Sequence, residues 1–243
     1  MPFIVAGDPN LKMSLEIART LTKSADLLEI GFPYSDPLAD GPTIQAANQR
    51  ALRTDMNTDR VFEFVRRVRR FSEIPITVLV YTNLVYQRGI DKFYRDSKRA
   101  GVDGVLMPDL PVEESMPYVA AAKKVGIDQI FLVTQTTRNE RLKKILQYAR
   151  GYLYLVAVLG VTGERNELDP EVLSLMQRVR ETTKLPIAVG FGISRRSQVQ
   201  ALEKAGVDGY IVGSGLIKVV EKNLGHNKRL LEELSRYVEM LGP

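Results

Sequence analysis

The chain has 243 residues, of which 44% are hydrophobic and 26% are charged, and its net charge is +5. This composition excludes disordered and fibrous proteins, the charge is too diffuse to indicate nucleic-acid binding, and neither a membrane-spanning run nor a signal peptide is visible. Cysteine is absent and histidine occurs once, as His226, which excludes disulfides and thiolate chemistry and disfavours metal sites. We therefore expect a soluble, cytoplasmic protein whose chemistry falls to carboxylates, tyrosines, lysines, hydroxyls or backbone amides.

Eight short apolar runs alternate with amphipathic helical stretches along the chain. Between the runs, apolar residues recur at three- or four-residue spacing, as in Thr58–Phe71, where five arginines form a solvated face. Parallel strands need a crossover connection, so the alternation predicts a parallel sheet with about eight helices. The predicted strands are Phe3–Ala6, Leu27–Gly31, Ile76–Tyr81, Val102–Met107, Gln129–Thr134, Tyr152–Val158, Ile187–Gly190 and Val207–Val212.

A repeated segment favours a closed barrel over an open sheet. The sequence Lys-x-Ala-Gly-Val-Asp-Gly, or a close variant of it, precedes the fourth strand at Lys98–Gly104 and the eighth at Glu203–Gly209, and Lys124–Asp128 is a looser copy. The glycine in each suits the left-handed conformation that ends a helix. A spacing of four units in an eight-unit chain is typical of a barrel built from two related halves. An open doubly wound sheet would carry a G-x-G-x-x-G motif after its first strand, where this chain has Ala6–Pro9. We predict an α/β fold with one domain, a single (βα)8 TIM barrel over residues 1–243.

Glycines follow the last two predicted strands. In a barrel of this kind the active site lies at the carboxyl ends of the strands. Strand seven ends in Val189–Ser194 and strand eight in Val212–Gly215, and each segment contains two glycines. Glycine lets backbone N–H groups approach an anion, and the following helix adds its positive dipole, although tight turns alone would also use glycine. The matched pair favours phosphate binding.

Two carboxylates in the second unit are the candidates for acid–base chemistry. Glu29 lies in an otherwise apolar strand, where alternation places it on the barrel interior and burial should raise its pKa. Asp40 closes the loop that follows this strand, but Asp36 and Asp40 could also be turn or capping residues. A structural role is equally open for Asp109, which ends strand four. No lysine follows a strand's carboxyl end, which disfavours a Schiff-base aldolase.

The segment Leu28–Gln45 closely resembles the signature of the tryptophan synthase alpha subunit family. Other matching segments follow in the family's order along nearly the whole chain: Pro2–Pro9, Tyr81–Val85, Pro108–Glu114, Gly160–Gly163 and Gly190–Ser194. The resemblance implies retro-aldol cleavage of indole-3-glycerol phosphate to indole and glyceraldehyde 3-phosphate, a carbon–carbon lyase reaction of tryptophan biosynthesis. It also implies that this chain needs no cofactor.

The resemblance also assigns roles to individual residues. It implies that Glu29 is the general acid–base residue and that Asp40 interacts with the indole N–H. Aromatic positions near the indole are matched by Phe3, Tyr81 and Tyr154, and the phosphate cradle by Gly163, Gly192, Gly213 and Ser214. Thr162 matches a loop residue that helps to close the site over Asp40.

The family resemblance implies a partner, a pyridoxal-phosphate-dependent beta subunit in an α2β2 assembly that docks on the catalytic face. The loops Phe32–Gly41 and Leu159–Asn166 are expected to close when it binds. Relatives usually have a helix before the first strand, and here the strand starts almost at Met1. Three other functions stay open: a free-standing indole-releasing lyase, a non-catalytic allosteric subunit, and another sugar-phosphate barrel that would leave the second-unit motif unexplained.

Overall fold

The computed structural model describes residues 1–156, 170–190, 192–193 and 195–242. Within them, eight strands form one sheet in which each strand pairs in parallel with the next along the chain. The predicted strands are confirmed, with some ends shortened by one or two residues and the fifth strand starting one residue earlier. Ala157 and Val158, predicted as the end of the sixth strand, lie outside the described residues. They are β1 (Phe3–Val5), β2 (Leu28–Gly31), β3 (Ile76–Leu79), β4 (Gly104–Leu106), β5 (Asp128–Thr134), β6 (Leu153–Val156), β7 (Ile187–Gly190) and β8 (Gly209–Ile211).

The sheet closes on itself between its last and first strands. The Phe3 N–H donates to the Val212 carbonyl oxygen at 2.8 Å, and the Val212 N–H donates to the Met1 carbonyl oxygen at 3.0 Å. An additional parallel bridge joins Pro2 to Val212. These contacts turn the predicted parallel sheet into the predicted barrel, so that all eight carboxyl ends face the same side.

The described residues contain eleven α-helices, more than the eight expected. Two crossovers and the carboxyl-terminal segment each carry a pair of helices instead of one. One break lies at Gly89, whose φ of +87° suits glycine, and another precedes Asn57, whose side chain caps the next helix. The helices are α1 (Leu11–Leu21), α2 (Pro42–Leu52), α3 (Thr58–Arg69), α4 (Thr82–Arg88), α5 (Ile90–Ala100), α6 (Met116–Val125), α7 (Asn139–Tyr148), α8 (Pro170–Thr182), α9 (Arg196–Lys204), α10 (Ser214–Lys222) and α11 (Asn227–Leu241), with a 3₁₀ turn at Val112–Glu114.

The helix predicted from Thr58 shows how the apolar pattern positions these elements. Val61, Val65 and Val68 of α3 are fully buried against the barrel, as their spacing predicts. Arg60, Arg66 and Arg70 are exposed and Arg67 pairs with Glu63, whereas Arg69 donates to the backbone carbonyl of Gly101. The solvated interpretation therefore fits this basic stretch except for Arg69.

The repeated Ala-Gly-Val-Asp-Gly segment forms the same structure twice. The carboxylate of Asp103 accepts the Ile76 N–H at 2.8 Å, and that of Asp208 accepts the Ile187 N–H at 2.7 Å. Each carboxylate also pairs with an arginine from the preceding unit, Arg69 for Asp103 and Arg180 for Asp208. Gly101, Gly206 and the glycine of the looser copy, Gly126, all have positive φ, as predicted. The sequence repeat is therefore a structural repeat of two barrel halves.

Candidate active site

Glu29 lies in the middle of β2 and points into the barrel interior. Its side chain is fully buried, and neither carboxylate oxygen has a hydrogen-bond partner among the described residues. An unpartnered buried carboxyl group is unusual, because ionising it there costs roughly several kcal/mol of solvation free energy. Burial raises the pKa of Glu29 to about 8, as predicted, and the charge of Asp40 adds to the rise. Glu29 is therefore mostly protonated at neutral pH.

Two side chains on the amino-terminal side of the barrel interior lie below Glu29. The hydroxyl groups of Thr77 and Tyr152 are 3.5 Å apart and join opposite sides of the barrel. The Tyr152 hydroxyl lies close enough to Glu29 to lower its pKa, although outside hydrogen-bond geometry. Sequence reasoning missed both residues. The signal was present for Tyr152, because alternation along the strand places it on the same interior face as Tyr154.

Asp40 lies at the end of the loop between β2 and α2. Its carboxylate accepts a hydrogen bond from the Asn48 side-chain amide at 3.2 Å, and its backbone carbonyl accepts one from Gln45 at 2.8 Å. Gly41 takes the N-cap position of α2, so Asp40 does not cap that helix with its side chain. Burial raises the pKa of Asp40 to about 6, while hydrogen bonding by Asn48 and Tyr81 lowers it. Asp40 is therefore mostly ionised at neutral pH.

Two stacked tyrosines support the loop that carries Asp40. The rings of Tyr34 and Tyr81 stack with centroids 4.8 Å apart, and the Tyr81 hydroxyl accepts the Ala39 N–H at 3.0 Å. Tyr81 is buried at the end of β3. The predicted site residues Tyr81 and Asp40 are thus brought together, whereas Asp36 makes a local turn with Ser35.

Asp109 has a structural role in this arrangement. Its carboxylate accepts hydrogen bonds from the Thr82 N–H at 2.9 Å and from the Thr82 hydroxyl at 2.8 Å. This contact fastens the loop after β4 to the first turn of α4, next to Tyr81. The sequence left both a functional and a structural role open for Asp109, and these contacts favour the structural role.

Phe3 and Tyr154 occupy opposite parts of the barrel interior. The Phe3 ring lies against two glycines. A Cβ atom added at Gly31 would lie 2.8 Å from the nearest ring atom, and one added at Gly213 would lie 3.2 Å from the ring. Tyr154 lies against Gly190 in the same way, and a Cβ atom added at Gly190 would clash with the Tyr154 ring. Burial raises the pKa of Tyr154, and Glu29 adds to the rise, so the tyrosine faces the carboxylates.

Three of the predicted phosphate residues follow the neighbouring strands β7 and β8. Gly213 precedes α10 and Ser214 is its first residue, so the backbone N–H groups of this turn point outward from a helix N-terminus. Gly192 follows β7, and the space around its Cα is open. Thr162 and Gly163, together with the loop Leu159–Asn166, lie outside the described residues.

Asn48 is a buried polar residue that sequence reasoning missed. It lies on the inward face of α2 with Ile44, Ala47 and Ala51, at the spacing of a helical stripe. An asparagine in such a stripe is the signal that could have found it, because a buried amide needs partners.

A cavity of about 610 Å³ opens at the opposite, amino-terminal end of the barrel. Its lining includes Thr77 and Tyr152 but none of the predicted site residues. We place the candidate site at the carboxyl ends instead, because the carboxylates with raised pKa values and the glycine turns converge there. Among the described residues, no cluster of three or more His, Asp or Glu side chains could hold a metal ion, and no helix is long and apolar enough to cross a membrane.

Comparisons with known proteins agree on one family. The family model for the tryptophan synthase alpha chain matches residues 1–242. The tryptophan synthase alpha chain of Methanoregula boonei is 54% identical, with 98% of this chain and 91% of that protein covered. That of Methanothermobacter thermautotrophicus is 50% identical, with 96% and 87% covered.

The fold comparison gives the same result. A chain from the structure describing mutual activation of the tryptophan synthase α2β2 complex of Pyrococcus furiosus superposes with a TM-score of 0.93. It is 37% identical, and the match covers 99% of this chain and 96% of that one. The protein belongs to the tryptophan synthase alpha chain family.

Proposed function

We propose that this protein cleaves indole-3-glycerol phosphate into indole and glyceraldehyde 3-phosphate, as the alpha subunit of a tryptophan synthase. The observation that carries the proposal is a pair of carboxyl groups at one end of the barrel, Glu29 buried with no hydrogen-bond partner among the described residues and Asp40 bonded to Asn48. These surroundings raise the pKa of Glu29 to about 8 and that of Asp40 to about 6. A retro-aldol reaction on an indole ring needs one proton donor and one anion, and this pair supplies both at neutral pH.

The chemistry follows from these two states. Protonated Glu29 donates its proton to ring carbon C3, and the positive charge that develops at the ring nitrogen is stabilised by ionised Asp40 accepting the indole N–H. The side-chain hydroxyl next to the ring then loses its proton to the Glu29 carboxylate. The carbon–carbon bond breaks, its electron pair returns to the ring as indole, and the other fragment leaves as the aldehyde. Glu29 ends protonated, as it began.

The remaining predicted residues are proposed to hold the substrate. Phe3 and Tyr154 flank the interior beside Glu29, and Tyr81 lies beside Asp40, which suits an aromatic ring held between the two carboxylates. Gly192, Gly213 and Ser214 are proposed to bind the phosphate through backbone N–H groups, with Gly163 completing the cradle. Thr162 is proposed to help close the site over Asp40.

The proposed partner is a tryptophan synthase beta subunit, which carries pyridoxal phosphate and consumes the indole. This chain itself would need no cofactor, because the indole ring is its own electron sink. We also propose a cytoplasmic location, where the charged phosphate of the substrate is retained.

The test is indole release from indole-3-glycerol phosphate by the purified chain, alone and with a beta subunit. We expect indole and glyceraldehyde 3-phosphate in equal amounts, at a rate that rises when the beta subunit is added. Absence of cleavage in both conditions would overturn the proposal, and a chain that still activated the beta subunit would then be a non-catalytic regulator. Full activity alone, unchanged by the partner, would indicate the free-standing lyase.

A further inference from the structure

The Asn48 side chain is held in one orientation by its neighbours. Its amide nitrogen donates to the Asp40 carboxylate at 3.2 Å and to the Ile44 carbonyl oxygen at 3.1 Å, and its oxygen accepts the Tyr34 N–H at 3.3 Å. The Ile44 carbonyl can only accept and the Tyr34 N–H can only donate, so a flipped amide would lose both contacts. The geometry therefore fixes the NH2 group, and not the oxygen, against Asp40.

Two of these contacts, those to Tyr34 and Asp40, join α2 to both ends of one loop. Tyr34 lies near the start of the segment between β2 and α2, and Asp40 lies near its end. Asn48 itself is only 3% exposed, so water does not compete for its amide. One buried side chain thus sets the position of the loop and the direction of the carboxylate that the loop carries.

We propose that Asn48 is a positioning residue for Asp40, which aims the Asp40 carboxylate into the site and keeps it in its anionic form. The relevance of that anion to catalysis rests on the proposed function, but the effect of Asn48 on Asp40 does not.

The groups that face Asp40 make this role consequential. They are the hydroxyl of Tyr81 at the end of β3, the carboxyl group of Glu29 in β2 and the hydroxyl of Tyr154 in β6. Among the groups that shift the pKa of Asp40, Asn48 and Tyr81 lower it against the effect of burial, and Asn48 is the stronger of the two. Without the amide, protonation of Asp40 would extend into the neutral range.

A second consequence reaches Glu29. The negative charge of Asp40 helps to raise the pKa of Glu29. If Asp40 became protonated more easily, Glu29 would lose part of that effect and ionise more easily. Loss of Asn48 should therefore raise the pKa of Asp40 and lower the pKa of Glu29, so that the two values move closer together. A general loosening of the fold would not produce these two opposite shifts.

The experiment is a carbon-13 NMR titration of the aspartate and glutamate carboxyl groups of the full chain. Signals of Asp40 and Glu29 are assigned with the Asp40→Asn and Glu29→Gln variants. Asn48→Leu keeps the branched shape of the side chain and removes the donor, and it should raise the pKa of Asp40 by about one unit, the size expected for a hydrogen bond to a charged group. Asn48→Asp keeps the shape and should raise it at least as far, because two adjacent carboxylates share one proton.

Gln45→Ala is the matched control. It removes the 2.8 Å bond to the Asp40 backbone from the same helix without touching the carboxylate. We expect it to leave the pKa of Asp40 unchanged. The pH profile of kcat/KM with the beta subunit is the second measurement, and its acid limb should move up by about the same unit in Asn48→Leu and Asn48→Asp only.

The outcomes separate this inference from the proposed function. An unchanged Asp40 pKa in the folded Asn48 variants, or an equal shift in Gln45→Ala, would overturn the role of Asn48 whatever the wild-type activity. The expected shift in a chain that does not cleave indole-3-glycerol phosphate would support the role of Asn48 and reject the function. If Asn48→Leu does not fold, Asn48→Ala, which removes the donor without adding a charge, decides the result.

Discussion

Glu29 and Asp40 carry the same functional group, and their surroundings set them to different protonation states. Glu29 is fully buried and has no hydrogen-bond donor among the residues that the structure describes, whereas Asp40 lies at the edge of the interior and accepts a bond from Asn48. Burial destabilises the charged form of both, but only Asp40 has strong compensation. The two pKa values therefore differ by about two units, which leaves Glu29 mostly protonated and Asp40 mostly ionised at neutral pH.

Shape-preserving substitutions test this division at the level of single residues. We expect Glu29→Gln and Asp40→Asn each to lower indole release by at least about 100-fold, the scale of general acid–base catalysis, because each removes a proton donor or an anion and little else. Circular dichroism checks that the fold survives. Near-wild-type activity in either folded variant would remove that residue from the mechanism.

The raised pKa of Glu29 also predicts how stability depends on pH. The native carboxyl group keeps its proton up to about 8, while the ordinary value of 4.5 describes the unfolded chain. Between these values the native state binds more protons than the unfolded state, so stability must fall as the pH rises through this window. In Glu29→Gln this contribution is absent, and Tm should fall less between pH 5 and pH 8.5 than in the wild type.

Asp40→Asn is the control for that comparison. The pKa of Asp40 is raised less, to about 6, so its removal should change the slope of Tm against pH by less than the removal of Glu29 does. Parallel Tm curves for the wild type and Glu29→Gln would show that Glu29 is not buried as described here.

At the scale of elements, the end of one strand and the start of the next helix form a functional unit. The turn between β8 and α10 carries Gly213 and Ser214, and the absence of a side chain at Gly213 makes room for the Phe3 ring. A Cβ atom added at Gly213 would lie 3.2 Å from the Phe3 ring, which favours glycine although its φ of −114° would allow other residues. We propose that the same glycine also lets the backbone approach the phosphate.

Gly213→Asp tests the phosphate cradle. We expect weaker binding of glycerol phosphate, by tenfold or more, about 1.4 kcal/mol, because the new carboxylate would repel the phosphate beside it. Gly213→Ala is the matched variant, since it introduces the 3.2 Å contact with Phe3 without a charge. Equal affinities in the Asp and wild-type proteins, measured by calorimetry, would show that the phosphate binds elsewhere.

At the scale of the whole molecule, the three most exposed large apolar side chains of the described residues follow successive strands of the barrel. Leu38, Tyr86 and Met116 follow three successive strands and are 94%, 68% and 52% exposed. Single exposed apolar residues are ordinary, but three that follow successive strands, one of them in the loop that carries Asp40, favour a protein-binding surface. We expect the beta subunit to dock here and to stabilise the closed form of the Asp40 loop.

A titration with the beta subunit tests this coupling. We expect slow cleavage by the chain alone and a rate at least about tenfold higher with the partner, equivalent to about 1.4 kcal/mol in the barrier. Leu38→Glu should weaken this activation. The control is Leu224→Glu, which should leave the activation unchanged, because Leu224 is a half-exposed residue between α10 and α11 at the other end of the barrel. By linkage, glycerol phosphate should tighten binding of the beta subunit, and its failure to do so in a pull-down would argue against coupling.

The sequence by itself determined the barrel, its eight strands and both carboxylates of the candidate site. Strand alternation and the repeated helix-ending glycines are local signals, because a residue's own neighbours in sequence decide whether it suits a buried strand or a left-handed turn. The interior position of Glu29 follows from the same alternation. The resemblance of Leu28–Gln45 then assigned roles that alternation alone could not.

Only the tertiary structure decided which groups face these residues. Thr77 and Tyr152 meet across the barrel, 75 positions apart in sequence, and the amide of Asn48 turns its nitrogen to Asp40 only because Ile44 and Tyr34 fix its other contacts. The pKa values of Glu29 and Asp40 depend on the same packing, since desolvation is set by everything that surrounds a group. Periodicity indicates which face of a helix or strand is buried. Which residues pack against that face depends on how the chain closes into the barrel.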